Sequence, residues 1–262
     1  MKTITKSINK IDKKYLFWLE RLNKENLLKY KIVKHMIKRK AKFSNGILCV
    51  GVNAKKEYQD THKNLINLPY SINTKKFNFK KKFFLNKKTN FLFVGQLIKR
   101  KGIDLILSSF NSLQNYEKSN LNLTIIGEGD YKQKVLEFSK QNSFVTYKSF
   151  LTEKKLIPYF LNNDVFLFPS NFDGWGVAPL EAMASSMNLI LSKNVGMLEI
   201  FRGKNKPQIL AKENNLTQLI KSIIKNQSQI IKKGTRNKII VKNSLCNVNK
   251  STQHLLNSLK YL

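Results

Sequence analysis

Asp173 and Glu181 stand eight positions apart in Pro169-Ser170-Asn171-Phe172-Asp173-Gly174-Trp175-Gly176-Val177-Ala178-Pro179-Leu180-Glu181. Pro179 suits an early helical position, so Asp173 precedes a helix and Glu181 lies inside its first turns. Two carboxylates so placed can reach one cleft and accept hydrogen bonds from a ligand's hydroxyl groups. Alone, Asp173 equally fits an Asp-Gly turn, and Glu181 an acid that complements the helix dipole. Positive charge comes from Gly95-Gln96-Leu97-Ile98-Lys99-Arg100-Lys101-Gly102. There Gly95 permits a tight turn, Lys101 can set an ammonium against phosphate, and a helix starting near Gly102 offers free N–H groups. By itself this loop reads equally as a solvated basic turn. A third loop, Gly127-Glu128-Gly129, has small residues that let a ligand approach the backbone. Gly174 to Val177 add further amides. Together the three loops suit a nucleotide diphosphate bearing hydroxyls.

Each loop follows an apolar run. Strands are predicted at Phe91–Val94, Leu123–Ile126, Phe144–Tyr147, Val165–Phe168, Asn188–Leu191 and Gln208–Leu210. Helical patterns fall between them, at Ile103–Leu113, Tyr131–Lys140, Glu153–Asn162, Ala178–Ser185, Met197–Arg202 and Leu216–Asn226. This alternation specifies α/β architecture with a doubly wound parallel sheet. Continuous runs such as FLFV and VFLF are those of strands buried on both faces. Ligands of such sheets bind at the carboxyl ends of the strands. Upstream, Leu16–Lys40 reads as a lysine-rich helix, Gly46–Gly51 as a strand and Ala54–His62 as a short helix. The expected organisation is 1–75, a linker at 76–89, the Rossmann-like domain at 90–226 and a helical tail at 227–262.

Composition narrows the class. The 262 residues are 42% hydrophobic and 24% charged, which is globular. Apolar stretches fall short of the roughly 18 residues of a membrane span, and the N-terminus does not read as a signal peptide. Cys49 and Cys246 stand alone, so a reducing cytoplasm is the default. The net charge of +32 suggests nucleic acid, yet five of the 48 basic residues are arginine, the residue that specific base readers favour. Lysine, asparagine and isoleucine rise together along the whole chain, so the excess reads as coding bias. A surface of this kind is still drawn to anionic lipid headgroups. No nucleic-acid partner is expected.

The order and spacing Gly-x-Leu-x-x-x-Lys-Gly, Ile-Ile-Gly-x-Gly, Asp-Val-Phe-Leu-Phe-Pro-Ser, then an acid eight positions ahead of the glutamate in LEAMA resemble the retaining GT-B glycosyltransferases of family four. The likeness covers Phe91–Glu199 and extends more weakly over GILCVG and NLPYSINTKKF. It implies a GT-B-like fold with one complete Rossmann-like domain and a truncated α/β remnant before it. It implies a UDP- or GDP-linked sugar donor and no metal cofactor. Lys101 would hold the diphosphate and steady its growing charge. Asp173 takes the position of the first acid of the E-x7-E motif, which contacts the transferred sugar, and Glu181 that of the second, on the ribose. Gly95, Gln96, Gly127 and Gly129 would line the nucleotide side, with Val145 and Tyr147 near the base. Gly174, Trp175, Gly176 and Val177 would lie along sugar and phosphates.

Departures accompany the likeness. Gln96 replaces the usual arginine, with Arg100 placed to compensate, and Ser185-Ser186-Met187-Asn188 replaces a small-Gly-x-Pro turn. About 75 residues precede the linker, where a complete first domain takes roughly 150. The chain is therefore expected to be a fragment, half of a split enzyme with a separate N-terminal-domain polypeptide, or degenerate. The reading is a hexosyltransferase of polysaccharide biosynthesis, cytoplasmic or peripheral on the membrane, acting on a glycan or lipid-linked acceptor. Its alternative is a non-catalytic nucleotide-sugar-binding subunit.

Overall fold

The computed structural model describes residues 15–77, 88–201, 207–210 and 215–260. They form two compact units: the described residues of Met1–Pro69 with those of Thr252–Leu262, and those of Tyr70–Ser251.

In the first unit β1 (Leu16–Leu19), β2 (Gly46–Cys49) and β3 (Leu65–Asn67) make a parallel sheet in that order. α1 (Leu27–Ala41) connects β1 to β2, and α2 (Val52–Glu57) connects β2 to β3. The helix predicted over Leu16–Lys40 thus begins only at Leu27. Leu-Phe-Trp-Leu is instead a strand, because its aromatic side chains favour a pleated surface with β2 alongside. Asn26 marks the true helix start, its side chain accepting from the Lys29 N–H at 2.9 Å. Ala41, Ile47, Cys49, Ala54 and Tyr58 form this unit's core.

The second unit contains β4 (Thr89–Val94), β5 (Leu121–Ile126), β6 (Val145–Lys148), β7 (Val165–Phe168), β8 (Asn188–Ser192) and β9 (Gln208–Leu210). Its helices are α3 (Ile103–Asn111), α4 (Asn115–Lys118), α5 (Lys132–Gln141), α6 (Glu153–Asn162), α7 (Val177–Ala184), α8 (Asn215–Lys225) and α9 (Ser228–Asn243), followed by α10 (Val248–Leu259), which runs on into the first unit. The strands are all parallel, in the order β6-β5-β4-β7-β8-β9. Every residue of β7 and β8 is buried, which is why they read as continuous apolar runs. One face packs Phe91, Phe93, Leu123, Ile125, Val165 and Leu167 against Ile106 and Phe110 of α3, Val135 of α5 and Ile220 of α8. The chain builds outward from β4 to β6 and then returns to lay β7 on the other side of β4. That reversal leaves a crevice at the carboxyl ends of β4 and β7, where open α/β sheets bind ligands.

The described residues from 227 onward are largely helical, in α9 and α10. α9 packs on α7 and β8 because Gly234 lets its backbone close on the Ser186 carbonyl, where a Cβ would collide. Asn237 Nδ2 donates to the Met187 carbonyl at 2.9 Å, and Ile230 and Val241 are buried. Of the expected linker, 78–87 lie outside the described residues. Thr74–Phe77 form a 3-10 turn whose Phe77 packs edge-on to Phe160, with ring centroids 6.1 Å apart. The helix predicted over Met197–Arg202 is a 3-10 turn at Gly196–Ile200, and Arg202 lies outside the described residues.

Candidate functional site

The predicted loops leave neighbouring strands and are braced backbone to backbone. After β4, the Leu97 N–H donates to the Glu128 carbonyl at 2.8 Å, and Tyr131 N–H to the Leu97 carbonyl at 2.9 Å. A Cβ on Gly127 would strike the Gly95 carbonyl, and one on Gly129 the Leu97 backbone. The need for glycine therefore lies on the β5 side. Gly95 has no left-handed backbone, and a Cβ there would meet the Phe93 ring at 3.4 Å. Gly102, at φ 73°, is required, since a Cβ would run into the Pro169 carbonyl.

The loop after β7 is tied on both sides. The Asn171 N–H donates to the Arg100 carbonyl at 2.8 Å, and the Arg100 guanidinium to the Phe172 carbonyl at 2.8 Å. Arg100 is thereby tied to this loop, while Gln96 is exposed. Towards β8, the Gly196 N–H donates to the Asp173 carbonyl at 3.0 Å and Met197 N–H to the Trp175 carbonyl at 2.8 Å.

This bracing sets Lys101 against Asp173, with Nζ 2.5 Å from Oδ2. The two side chains are 15% and 13% exposed, so the pair is screened far less than a surface ion pair. The ammonium also lies over the Phe168 ring, 5.0 Å from its centroid. The second carboxylate oxygen of Asp173 accepts from the Trp175 N–H at 3.2 Å. The result is a cation and an anion paired at the carboxyl ends of β4 and β7.

Glu181 is not drawn into that pair. Among the described residues no hydrogen bond or ion pair joins it to Lys101. Burial, and then the charge of Glu153, push its pKa from 4.5 to about 7, against the pull of Lys76. Lys76 itself holds both oxygens of Glu153, at 2.7 and 2.9 Å. Sequence reasoning missed Lys76 and Glu153 because both lie far from Glu181 along the chain and no spacing marks them.

The other expected site residues divide. Tyr147 Oη donates to the Gly127 carbonyl at 3.1 Å and to Glu128 at 3.2 Å. Glu128 is held below the usual carboxylate range, chiefly by its hydrogen bond from Lys132. Val145 belongs to the apolar core, because strand alternation turns it inward, so its side chain is unavailable to a ligand. The Trp175 side chain is also buried. Gly176, at φ 97°, caps α7, and Val177 opens that helix half exposed. Away from these loops, a cleft of about 790 Å³ lies between α6 and strands β4, β5 and β6, lined by Asn90, Asn122, Thr124, Thr146, Leu151 and Tyr159. None of the expected site residues lines it.

Residues 74–243 match the family described as glycosyl transferases group 1. A 41.2 kDa protein in the cps region of Klebsiella pneumoniae is 33% identical over 132 residues, 45% of this chain and 35% of that protein. The Staphylococcus aureus capsular polysaccharide biosynthesis glycosyltransferase CapM is 27% identical over 111 residues, 41% of this chain and 28% of its own length. The aligned parts span half or less of the curated relatives' length. Among solved structures, Anabaena HepE in complex with UDP superposes with a TM-score of 0.81 at 11% identity, over 98% of this chain and 75% of that one. At that identity the likeness concerns the fold, an α/β fold with parallel sheets matching GT-B glycosyltransferases. With well over half of its length matched, including all three braced loops, the chain belongs to the glycosyl transferases group 1 family.

Proposed function

We propose that the chain binds a nucleotide-sugar, UDP- or GDP-linked, and transfers its hexose with retention, as in family four. The Lys101–Asp173 pair at the sheet's crevice carries this reading. In it, the donor's diphosphate takes over the Lys101 ammonium, helped by N–H groups at the start of α7 rather than by a metal. Asp173, released from the lysine, accepts hydrogen bonds from the sugar hydroxyls. Glu181 lies deeper on α7 and accepts from the ribose, so its ionised form becomes favoured when ligand donors replace water. The acceptor is an envelope glycan or a lipid-linked sugar, a reading supported by the relatives named for capsular polysaccharide biosynthesis or lying in a cps region. On this reading residues 1–75 belong to the acceptor side.

The test is calorimetric titration of the full chain with UDP, GDP, uridine and guanosine, beside turnover of UDP- and GDP-sugars. Lys101→Ala is expected to weaken the diphosphate at least about tenfold while changing nucleoside affinity little, as loss of a charged hydrogen bond does. Asp173→Asn, which frees the ammonium, is expected to keep or tighten diphosphate binding and abolish transfer. Equal affinities in wild type and Lys101→Ala would refute the site. Binding without turnover would make the chain a nucleotide-sugar-binding subunit that needs a separate first-domain polypeptide.

A further inference from the structure

The layer between α6 and its sheet is not built like a core. On β4, β5 and β6 the positions alternating with the core residues Phe91, Leu121, Leu123 and Val145 include Asn90, Asn122, Thr124 and Thr146. The strand register sets Asn90 beside Asn122 and Thr124 beside Thr146. Asparagine is depleted in strands, and a helix laid on a parallel sheet ordinarily buries valine, isoleucine and leucine there. Here these four positions line the cleft of about 790 Å³, together with residues of α6. That volume lies within the roughly 300–1,000 Å³ of ligand-binding clefts.

Its amides are held in place. Asn122 Nδ2 donates to Asn90 Oδ1 at 2.8 Å, and Asn90 donates to Asp164 Oδ2 through its backbone N–H at 3.0 Å and through Nδ2 at 3.2 Å. Asp164 stands just before β7, so neighbouring strands fix both amides, and each amide carries a second N–H. Threonine hydroxyls donate and accept, as sugar hydroxyls do. Tyr159 and Pro158 add flat apolar faces against which the C–H side of a sugar ring packs. Lys154 and Lys155, exposed in the first turn of α6, bring two ammoniums, and none of the lining residues is acidic. Neither an arginine nor a glycine, the residues that most often cradle a diphosphate, lines the cleft. We propose that it is a second ligand site, separate from the donor loops, which binds an acidic oligosaccharide, a run of hydroxylated rings bearing carboxylates. Amides and hydroxyls take the ring hydroxyls, Tyr159 takes a ring face, and the lysines take the carboxylates. The glycan is held there without reaction. This inference stands on the cleft and is independent of the donor-site reading.

The experiment is calorimetric titration of the full chain with tetragalacturonate and with maltotetraose, an acidic and a neutral tetramer, at about 0.15 M salt. Wild type is expected to bind the acidic tetramer at least about tenfold more tightly, with or without saturating UDP. Because a chain of net +32 attracts any polyanion, the deciding variant leaves charge alone. Thr124→Val with Thr146→Val keeps side-chain shape and removes two hydroxyls. It is expected to weaken tetragalacturonate about tenfold at an unchanged melting temperature. Lys154→Gln with Lys155→Gln is expected to bring the acidic tetramer down to the affinity of the neutral one. Tetragalacturonate affinity unchanged by the valine pair would overturn the proposal and assign binding to diffuse charge. Competition by UDP would overturn it as well, placing the sugar at the donor loops. Should the valine pair unfold the chain, Asn162→Ala, at an exposed lining position of α6, takes its place. Weaker binding is expected of it, and full affinity rejects the cleft.

Discussion

At the scale of single residues, Glu181 is the most consequential group. A carboxyl raised from 4.5 to about 7 in the folded chain holds its proton more tightly there than when unfolded. The folded state therefore binds more protons between those values, and the associated stability is fully present below 4.5 and lost as pH rises through about 7. Glu181→Gln removes the ionisation, so at pH 8 it is expected to melt above wild type, and at pH 5 to gain nothing. Scanning fluorimetry at the two pH values checks this, and an equal shift at both would assign the effect to packing. The same variant is expected to bind UDP more weakly, because an amide accepts hydrogen bonds less strongly than a carboxylate. Lys101, Asp173 and Glu181 were legible in the sequence as residue types at telling spacings. The contact of Lys101 with Asp173 was legible only as loops sharing a crevice. That Glu181 answers to Glu153 and Lys76 was not legible, because Thr74–Phe77 brings them together by packing on both α6 and α7.

At the scale of elements, short apolar runs placed all six strands of the second unit, most plainly β7 and β8, since a strand buried on both faces leaves little choice of residue. Short or exposed elements were harder. β1 was hidden because Leu-Phe-Trp-Leu runs into helical text, and its pairing with β2 is a long-range contact that periodicity does not carry. α9 looked polar, since its packing rests on Gly234 and Asn237 rather than on a wide apolar face. That packing explains the Ser185–Asn188 turn, where Ser186 sits at φ 61°, a left-handed conformation that glycine adopts freely. Ser186→Gly is expected to stabilise the chain by about 1 kcal/mol, roughly 2–4 °C in Tm for a domain of this size. Urea unfolding measures it. A loss of stability would mean that the Ser186 side chain contributes more than its backbone costs.

At the scale of the whole molecule, the lysine excess means that folding gathers like charges. Screening relieves that repulsion, so raising salt from about 10 mM to 0.5 M is expected to raise the melting temperature by several degrees. A fall across that range would show that ion pairs such as Lys101–Asp173 outweigh the general repulsion. The two buried cysteines are no liability here, because burial pushes the Cys49 thiol to about 11 and Cys246 to about 12, far from reactive thiolate. The close approaches at Gly102, Gly127, Gly129 and Gly196 have a further effect. Loops locked carbonyl against glycine have already surrendered their freedom during folding, and a guest entering the crevice meets a finished mould. Association should then be quick, with little ordering penalty and a small heat-capacity change, and its selectivity would reside in shape rather than in any closing motion.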